Sequence, residues 1–543
     1  MSGARAVRRR MADSLPGLSA FGCWCRRASS PAAGAALIAL AALLYLVVVL
    51  RSAWLAEDAY ITFRTVDNLL HGYGLTWNPP ERVQAYTHPL WLLLLSPLYA
   101  LTHEIYYTAV ALAIACSLAS ALLLSLGLAG SRTSGALAIA VLASSKAYVD
   151  YSTSGLENPL THLLLALFVF VHLRQLPARR RIFWLSLAAS LLGLCRLDAL
   201  LLVLPALGYE SWRARRPAAL AALAAGLSPL ALWTAFSLFY YGFPFPNTAY
   251  AKLATGLERH ELLLQGARYL ANSLREDPVT LVATAGALAA VVVTRAWARM
   301  PLVLGIATWL VYVVAIGGDF MSGRFLTAPL FLAVALAAAH PTVSRRVALV
   351  AGALLVGSLW ATPHPPLLSG DDYGDWPDKG DSWGIADERA FYYADAGLLR
   401  GPQDEVLRQS RRPQWGLGWA AAARWEADHG AAGTFVAVAD AIGYAGYYAG
   451  PQVYILNPLA LSDALLARLP AQREESWRIG HFRRAIPAGY VETLKTGVNA
   501  IADSSVARYY DRLRRVIRGP LGDWGRLGEI WALNTDRYDD LRR

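Results

Sequence analysis

The chain has 543 residues, of which 56% are hydrophobic and only 16% are charged, and its mean hydropathy is +0.35. Soluble globular domains carry about 25% charged residues, so this composition excludes an ordinary soluble protein. The formal net charge of +11 lies largely in short loops between apolar runs, as the positive-inside rule expects, and we do not interpret it as a nucleic-acid-binding surface. Apolar runs of about 18 or more residues recur, and they predict a polytopic α-helical membrane protein.

The first predicted element is a cytoplasmic N-terminal tail, residues 1–31. It is rich in arginine, and the apolar run 32–55 follows it without a small-residue cleavage site. This pattern predicts an uncleaved membrane anchor rather than a signal peptide. Four cysteines are too few for a disulfide framework, and the CWC sequence at 23–25 has no companion Cys or His cluster to indicate a metal site.

A transmembrane domain is predicted over residues 32–361, because basic clusters separate its apolar runs and mark the cytoplasmic loops. Residues 89–101 are too short to cross the bilayer. An additional crossing there would also place every later loop on the side of the membrane that the positive-inside rule disfavours. They therefore predict a half-inserted helix on the outer side. The short pieces 182–195 and 199–210 predict a broken pair that brings the polar residues between them into a cavity. About eleven crossings remain, at roughly 32–55, 106–128, 134–150, 158–174, 182–195, 199–210, 217–240, 279–294, 300–316, 326–340 and 347–361.

Residues 362–543 are predicted to form a small extracytoplasmic α/β domain. Residues 369–382 have the Gly, Asp and Trp content of a loop. An amphipathic helix is expected over 387–411, and strands over 434–439 and 452–456. The aromatic residues of this domain are compatible with core packing and with a sugar-stacking surface.

The loops predicted on the outer side carry most of the chemically interesting polar residues, beginning with the first outer loop, residues 56–88. They are Asp58, Arg64, Glu81, Arg82, His88, Glu157, Arg196, Asp198, Asn247, Lys252, Asp319, Arg324, His481, Arg483 and Arg484. Arg and Lys bind phosphate through charge-assisted hydrogen bonds, and a carboxylate can take a proton from an attacking hydroxyl. The set therefore predicts an outer site that binds a phosphate beside an acid–base group.

Some of these residues have an equally good structural interpretation. Arg82 beside Glu81 could be only an ion pair at the loop surface. Asp319 and Arg324 could form a salt bridge at a helix end. A lipid-linked-sugar transporter or flippase is the main rival class, but transporters place ionisable groups near the bilayer midplane and often contain internal repeats. Here the polar residues cluster at one face and no repeat is visible.

Several motifs spread from residue 57 to about residue 490 appear in a recognisable order. They are EDAYITFRTVDNLLHGYGLTWNPPERVQAYTHPLW, YSTSGLENPL, CRLDALL, YYGFPFPNTAYAK, GGDFMSGRFLTAPLF, ADERAFY, ILNPLA and RIGHFRRAIPAGY. The set resembles the GT-C superfamily of polyprenyl-phosphate-sugar glycosyltransferases, and within it the mycobacterial-type terminal beta-(1->2) arabinofuranosyltransferases. The tail after the last apolar run looks shorter than in that group, so the acceptor is expected to differ.

The resemblance implies that Asp58 is the principal catalytic carboxylate and that Glu157, Arg196, Lys252, Asp319 and Arg324 line the substrate cavity. It implies a multi-pass enzyme of the inner (cytoplasmic) membrane with an extracytoplasmic site. The expected reaction is transfer of a pentofuranose, with arabinofuranose as the expected sugar, from a polyprenyl-phosphate donor to a glycan, lipid or pilin acceptor. A hexose or galactofuranose donor is the alternative. The lipid tail is expected beside residues 89–101. No cofactor is expected; a divalent metal is compatible with the superfamily, but no ligand set demands one.

Overall fold

The computed structural model describes residues 31–253, 255–340, 345–369, 381–400, 417–428, 433–474 and 477–542. The predicted cytoplasmic tail, its cysteines and most of the predicted loop 369–382 lie outside these ranges. Within them the protein is mostly helical. The helices of the first half are α1 (Pro31–Ser52), α2 (Ala59–Leu70), α3 (Pro89–Thr102), α4 (Ile105–Leu122), α5 (Arg132–Ser144), α6 (Lys146–Asp150), α7 (Asn158–Leu173), α8 (Ala178–Cys195), α9 (Leu200–Ala214) and α10 (Pro217–Tyr240).

The second half of the bundle contains further apolar helices and one amphipathic helix. They are α11 (Asn247–Leu253), α12 (Arg259–Glu276), α13 (Pro278–Val293), α14 (Met300–Ala315), α15 (Thr327–Ala338) and α16 (Arg345–Ala361). The amphipathic α12 meets the apolar α13 at an angle of 104°. The bend falls at Asp277-Pro278, where proline begins a new helix because its missing N–H needs no partner in the first turn.

A helix lies at each of the predicted crossings, although the run 134–150 is divided between α5 and α6. The hydroxyl of Ser145 makes this division, because it accepts a hydrogen bond from the Tyr148 N–H and caps α6. In the described part of the chain, four helical segments are long and apolar enough to cross a bilayer, or five if the bent pair counts as one. Several shorter apolar helices accompany them, including α3, the predicted half-inserted segment.

The C-terminal segment contains one short parallel sheet surrounded by helices. Its elements are α17 (Glu388–Ala396), α18 (Leu417–Asp428), β1 (Phe435–Val438), α19 (Gly443–Ala449), β2 (Val453–Leu456), α20 (Tyr490–Thr496), α21 (Ser504–Arg518) and α22 (Trp524–Asn534). β1 pairs with β2 from Phe435 opposite Val453 to Val438 opposite Leu456. Both strands fall inside the predicted ranges. The predicted helix 387–411 is wrong in extent, because α17 ends before Gly397; residues 401–411 lie outside the described ranges.

Residues 56–88, the predicted first outer loop, contribute to the core of the C-terminal segment. Trp77 is fully buried and packs with Val453 and Ile455 of β2. Val83 joins a second cluster that includes Leu513 of α21. Burying these side chains in a shared core fixes the first outer loop to a segment more than 350 residues away in sequence, and thereby fixes the position of α2 and Asp58.

Candidate active site

Glu157 lies at the centre of a charged network at one end of the helix bundle. It immediately precedes α7 and is only 1% exposed. Its Oε1 accepts hydrogen bonds from Arg196 and Arg324, each at 3.2 Å, and its Oε2 lies 3.0 Å from Nδ1 of His88. Burial alone would raise the pKa of Glu157, but its three basic neighbours, Arg324 foremost, hold that pKa well below the usual range. Four separate stretches of the chain therefore meet at one ionised carboxylate.

The Arg196 guanidinium is held in a fixed orientation. It donates two hydrogen bonds to Asp198, from Nε at 3.0 Å and from a terminal nitrogen at 2.7 Å. Its guanidinium carbon lies 4.5 Å from the centre of the Phe325 ring. Arg196 and Asp198 occupy the short break between α8 and α9, where the sequence predicted a broken pair. A planar guanidinium suits bidentate binding of a carboxylate or a phosphate, and here it holds the Asp198 carboxylate in this way.

The GGDFMSGR loop at 317–324 brings Asp319 and Arg324 to the same place, with 3.8 Å between Asp319 Oδ2 and the nearer Arg324 nitrogen. Its glycines are required by the backbone. Gly318 has φ +73°, and a Cβ there would lie 2.5 Å from the Tyr269 side chain. Asp319 Oδ2 and Arg324 Nε are both buried, and neither has a hydrogen-bond partner in the described ranges. Buried polar atoms without partners are rare in proteins, so these two are candidates to contact a bound ligand.

Asp58 lies at the start of α2, close to the SGLEN turn that carries Glu157. The Ala56 N–H donates to the Ser154 carbonyl at 2.8 Å. Gly155 has φ +75°, and a Cβ there would lie 2.8 Å from the Ala59 side chain. The Asp58 carboxylate also interacts electrostatically with Arg324. The predicted catalytic carboxylate therefore lies beside the charged network.

Lys252 and His481 adjoin the network through Phe320. A Cβ added at Gly480 would lie 3.6 Å from Lys252 Nζ. Among the described residues, no carboxylate lies within ion-pairing distance of the Lys252 ammonium. The His481 ring meets Phe320 edge to face, with 4.6 Å between the ring centres. Burial, with Arg478 and Lys252 nearby, lowers the pKa of His481 to about 4, so its imidazole is neutral at pH 7.

The predicted phosphate ligand Arg64 is placed elsewhere. It is buried, and it donates to the carbonyls of Trp77, Gly446 and Val453 at 2.8, 2.7 and 2.8 Å. Its guanidinium lies 4.3 Å from the Trp77 ring centre. Burial lowers the pKa of Arg64 to about 9. The side chain thus joins α2 to the C-terminal segment, and its bonds leave no open side for a substrate.

Glu81 and Arg82 also bind protein groups rather than the network. Glu81 Oε1 accepts two hydrogen bonds from Arg518, at 3.0 and 2.8 Å, and Oε2 accepts one from the Tyr454 hydroxyl at 2.8 Å. Arg82 donates to the carbonyls of Tyr240 and Val516 at 3.2 and 3.1 Å. Glu81 and Arg82 do not form an ion pair with each other, although an ion pair was one interpretation of the sequence. Both attach the first outer loop to the end of the chain.

Glu388 and Arg478 were not singled out from the sequence, although both occur in the quoted motifs ADERAFY and RIGHFRRAIPAGY. A terminal nitrogen of Arg478 lies 3.4 Å from Glu388 Oε1, and its guanidinium lies over the Phe320 ring at 4.8 Å. Burial, and after it the negative charge of Asp58, raises the pKa of Glu388, so the two carboxylates interact electrostatically. The signal that could have found Glu388 is its position directly after Asp387, in an acidic pair like Glu57-Asp58.

Two other features bear on ligands. No cluster of three or more His, Cys, Asp or Glu side chains arranged to hold a metal occurs among the residues that the structure describes. An apolar cleft of about 240 Å³ runs between α5, α13, α15 and α16, with Val279 near one end and Arg299 near the other. This cleft is not beside residues 89–101, where the sequence predicted the lipid groove.

The protein is thus a mostly helical chain with several apolar helices, consistent with a membrane protein, and with a buried network of carboxylates and cations at one end of its helix bundle. No family model matches the chain, and no solved structure matches it.

Two curated proteins are similar to it, both named terminal beta-(1->2)-arabinofuranosyltransferase. The protein from Mycobacterium tuberculosis is 30% identical over 403 residues, which cover 62% of this chain and 62% of that protein. The protein from Corynebacterium glutamicum is 29% identical over 392 residues, which cover 62% of this chain and 55% of that protein. The match therefore spans less than two thirds of either relative. The resemblance predicted from the motifs is confirmed: the chain is a distant relative of proteins of this type.

Proposed function

We propose that this protein is a membrane glycosyltransferase that moves arabinofuranose from a polyprenyl-phosphate donor to an extracytoplasmic glycan, lipid or protein acceptor. In this proposal the chain crosses the cytoplasmic membrane about eleven times. The charged network and the α/β segment after residue 362 lie on the extracytoplasmic side. The sequence similarity to two arabinofuranosyltransferases supports the sugar.

The observation that carries the proposal is the convergence of Asp58, Arg196, Asp319 and Arg324 around Glu157. Sugar transfer from a lipid phosphate starts with a good leaving group, so the protein needs mainly positive charge on the departing phosphate and a base for the acceptor hydroxyl. The network offers both. If the network only held these loops together, neutral Asn or Gln side chains would serve as well. They would not require paired buried charges, which are costly unless each charge is compensated.

The proposed role of each residue follows from how accessible its side chain is to a substrate. Asp58 activates or orients the acceptor hydroxyl, while Arg196, Arg324 and the unpaired Lys252 bind the phosphate. Glu157 is engaged by three basic partners and almost completely buried, so it positions the two arginines rather than touching the sugar. This differs from the sequence-based expectation that Glu157 lines the cavity.

The lipid tail is assigned to the apolar cleft between α5, α13, α15 and α16. The cleft is lined by Val279, which follows the Asp277-Pro278 bend. Asp277 accepts a hydrogen bond from the Ala147 N–H at 2.9 Å, and a Cβ at Gly323 would lie 2.5 Å from the Ala147 side chain. One end of the cleft is therefore next to the loop that carries Arg324, so a tail in the cleft could present its phosphate to the site.

The direct test uses purified protein in lipid nanodiscs with a radiolabelled polyprenyl-phosphate arabinofuranose and a synthetic arabinan acceptor. We expect labelled acceptor together with free polyprenyl phosphate. Asp58→Asn should reduce transfer by at least about 100-fold, the usual contribution of a general base, with no loss of folding. Asp67→Asn is the matched control, because Asp67 is on the same helix but accepts a hydrogen bond from Tyr99 away from the network.

The outcomes separate the candidate functions. Full turnover in the Asp58→Asn variant would end the assignment of this residue. Movement of the intact lipid-linked sugar across the bilayer, without release of polyprenyl phosphate, would identify a transporter instead. Release from a hexose or galactofuranose donor, but not from the arabinose donor, would keep the glycosyltransferase class and change the sugar.

A further inference from the structure

The helix α22, near the end of the chain, has the reverse of the polarity expected for a helix on a water-exposed surface. Its two charged side chains, Arg526 and Glu529, are buried. Its exposed positions recur at helical spacing along one face, and they are Trp524, Leu527, Gly528, Trp531 and Asn534. Trp524 is 84% exposed and Trp531 is 72% exposed. A surface helix in water carries its charges on the exposed face, so this face is suited to apolar surroundings.

Hydrogen bonds of the buried charges fix the rotation of α22. Arg526 donates from a terminal nitrogen to the Tyr240 carbonyl at 2.9 Å. Glu529 accepts hydrogen bonds from Arg512 at 2.8 Å and from the Tyr538 hydroxyl at 3.0 Å. Turning the helix to hide its tryptophans would break these bonds, and a charged group that loses its partners is costly. The outward direction of the aromatic face is therefore built into the packing.

The same helix is attached to the end of α10, which is long and apolar enough to cross a bilayer. Tyr240, the acceptor for Arg526, is the last residue of α10. The Asn534 side chain donates to the Gly242 carbonyl at 2.8 Å. The ring of Phe239 lies 5.9 Å from the Arg526 guanidinium carbon. If α10 spans the membrane, α22 lies where this span leaves the bilayer.

The aromatic face of α22 adjoins a surface suited to lipid. Leu232 and Phe239 of α10 are exposed, and so is Phe245 just beyond its end. Tryptophan is enriched where membrane proteins meet the headgroup region, because its ring is apolar and its indole N–H is polar. With 11 residues, α22 is about 16 Å long, about half the thickness of the hydrocarbon core. The helix is thus too short to cross the bilayer but long enough to lie along its surface.

A second copy of the chain or another protein fits this face less well than lipid does. Aromatic side chains bury about 150–250 Å² each, so two tryptophans could bury at most about 500 Å². Standard protein interfaces bury about 800 Å² on each partner. Lipid needs no matching surface, and a helix face of tryptophan and leucine partitions into the bilayer boundary unaided.

We propose that α22 is an interfacial anchor that lies in the headgroup region of the bilayer beside the end of α10. Trp524, Leu527 and Trp531 insert toward the acyl chains. The helix packs beside α21, whose Arg518 binds Glu81 of residues 56–88. The anchor therefore ties both the C-terminal segment and the predicted first outer loop to the membrane surface. The inference requires a membrane-embedded chain and is independent of the reaction proposed above.

The test measures the depth of a fluorophore on α22 in the full-length protein, with one copy in each lipid nanodisc. Trp524→Cys and Trp531→Cys are labelled separately with bimane. The background is Cys23→Ser/Cys25→Ser, because the other two cysteines are buried. Quenching is measured with iodide in the buffer and with nitroxide lipids that carry the quencher at the headgroup or at the end of the acyl chain. We expect the headgroup nitroxide to quench both labels more strongly than the chain-end nitroxide.

Two control positions come from the same chain. Leu232→Cys reports the hydrocarbon core, since it lies about 12 Å inside the end of α10 at about 1.5 Å per residue. Lys495→Cys, at an exposed charged position of α20, reports water. Interfacial helices bury their apolar face about 5–10 Å into the headgroup boundary, so iodide should quench both α22 labels at least about twofold less than the Lys495 label. At Leu232 the chain-end nitroxide should be the stronger lipid quencher.

The inference fails on any of three results. Iodide quenching equal to that of the Lys495 label would place α22 in water. Chain-end quenching equal to that of the Leu232 label would place it in the hydrocarbon core. Protection from iodide without quenching by either nitroxide lipid would show that protein covers the face. Because Trp524 and Trp531 are exposed and are labelled separately, misfolding of one variant leaves the other as a test.

Discussion

Arg64 gives the sharpest test of which arginines bind phosphate and which hold the fold together. The informative change is Arg64→Lys, because lysine keeps the positive charge but has one ammonium in place of a planar guanidinium. If Arg64 binds phosphate through its charge, the variant should fold normally and bind the donor more weakly. If it anchors α2, as the structure indicates, the variant should be unstable.

The magnitude follows from the bonds that lysine cannot make. Arg64 donates to three backbone carbonyls at 2.7–2.8 Å. A single ammonium can replace about one of these bonds. Hydrogen bonds to charged groups contribute about 1.5–3 kcal/mol each, so losing two costs about 3–6 kcal/mol. Loss of the stacking on the buried Trp77 ring adds up to about 2 kcal/mol, the value for desolvated cation–π contacts.

The assay is thermal unfolding in detergent, combined with turnover per folded molecule at a permissive temperature. We expect a clearly lower melting temperature and a donor KM close to that of the wild type. Arg473→Lys is the control, since Arg473 makes a largely exposed ion pair with Glu261, and such pairs contribute about 0–1 kcal/mol. Normal stability with a raised donor KM in Arg64→Lys would refute the anchoring role.

Three further predictions can be checked with the same preparations. Glu157→Gln should lower the free energy of unfolding by about 3–5 kcal/mol in chemical denaturation, because its two arginine partners lose their shared buried counter-charge. Gly318→Ala should lower both the melting temperature and turnover, since the new Cβ meets Tyr269 at a positive φ. Gly208→Ala, inside α9 with open space around it, should be neutral or stabilising. The pKa of Glu57 is raised to about 8 from 4.5, so its contribution to stability is lost as the pH rises from 4.5 to 8, at up to about 1.4 kcal/mol per pH unit. Glu57→Gln should therefore give a flatter pH–stability curve over that range.

The part of the site that the sequence predicts best is the part near helix ends. The clustering of polar residues in the predicted outer loops indicated one site, and the family resemblance implied that Glu157, Arg196 and Arg324 line it. The structure joins them. The same argument also selected Arg64, and there it failed, because nothing local distinguishes an arginine directed at a cavity from one directed at backbone carbonyls. Two of the three carbonyls belong to Gly446 and Val453, more than 380 residues away.

Glu81 shows the same limit for carboxylates. Its partners are Arg518 at the end of α21 and Tyr454 in β2, both beyond the reach of any local pattern. The strands themselves were predictable from β-branched and aromatic runs, as were the approximate positions of the apolar helices. What could not be predicted is that the first outer loop and the C-terminal segment share a core, since such contacts depend on packing over the whole chain.

The two acidic pairs, Glu57-Asp58 and Asp387-Glu388, have a similar arrangement. In each pair the first acid binds a structural partner: Glu57 accepts a hydrogen bond from the Gly443 N–H, and Asp387 pairs with Lys146. The second acid of each pair lies at a helix start: Asp58 immediately precedes α2, Glu388 is the first residue of α17, and the two interact electrostatically. Adjacent side chains at a helix start point in different directions, so anchoring one acid fixes where the next one is directed. The two ionised acids therefore predict different effects. Asp387→Asn should act mainly on stability, because it removes the charge that pairs with Lys146, and Asp58→Asn should act mainly on turnover.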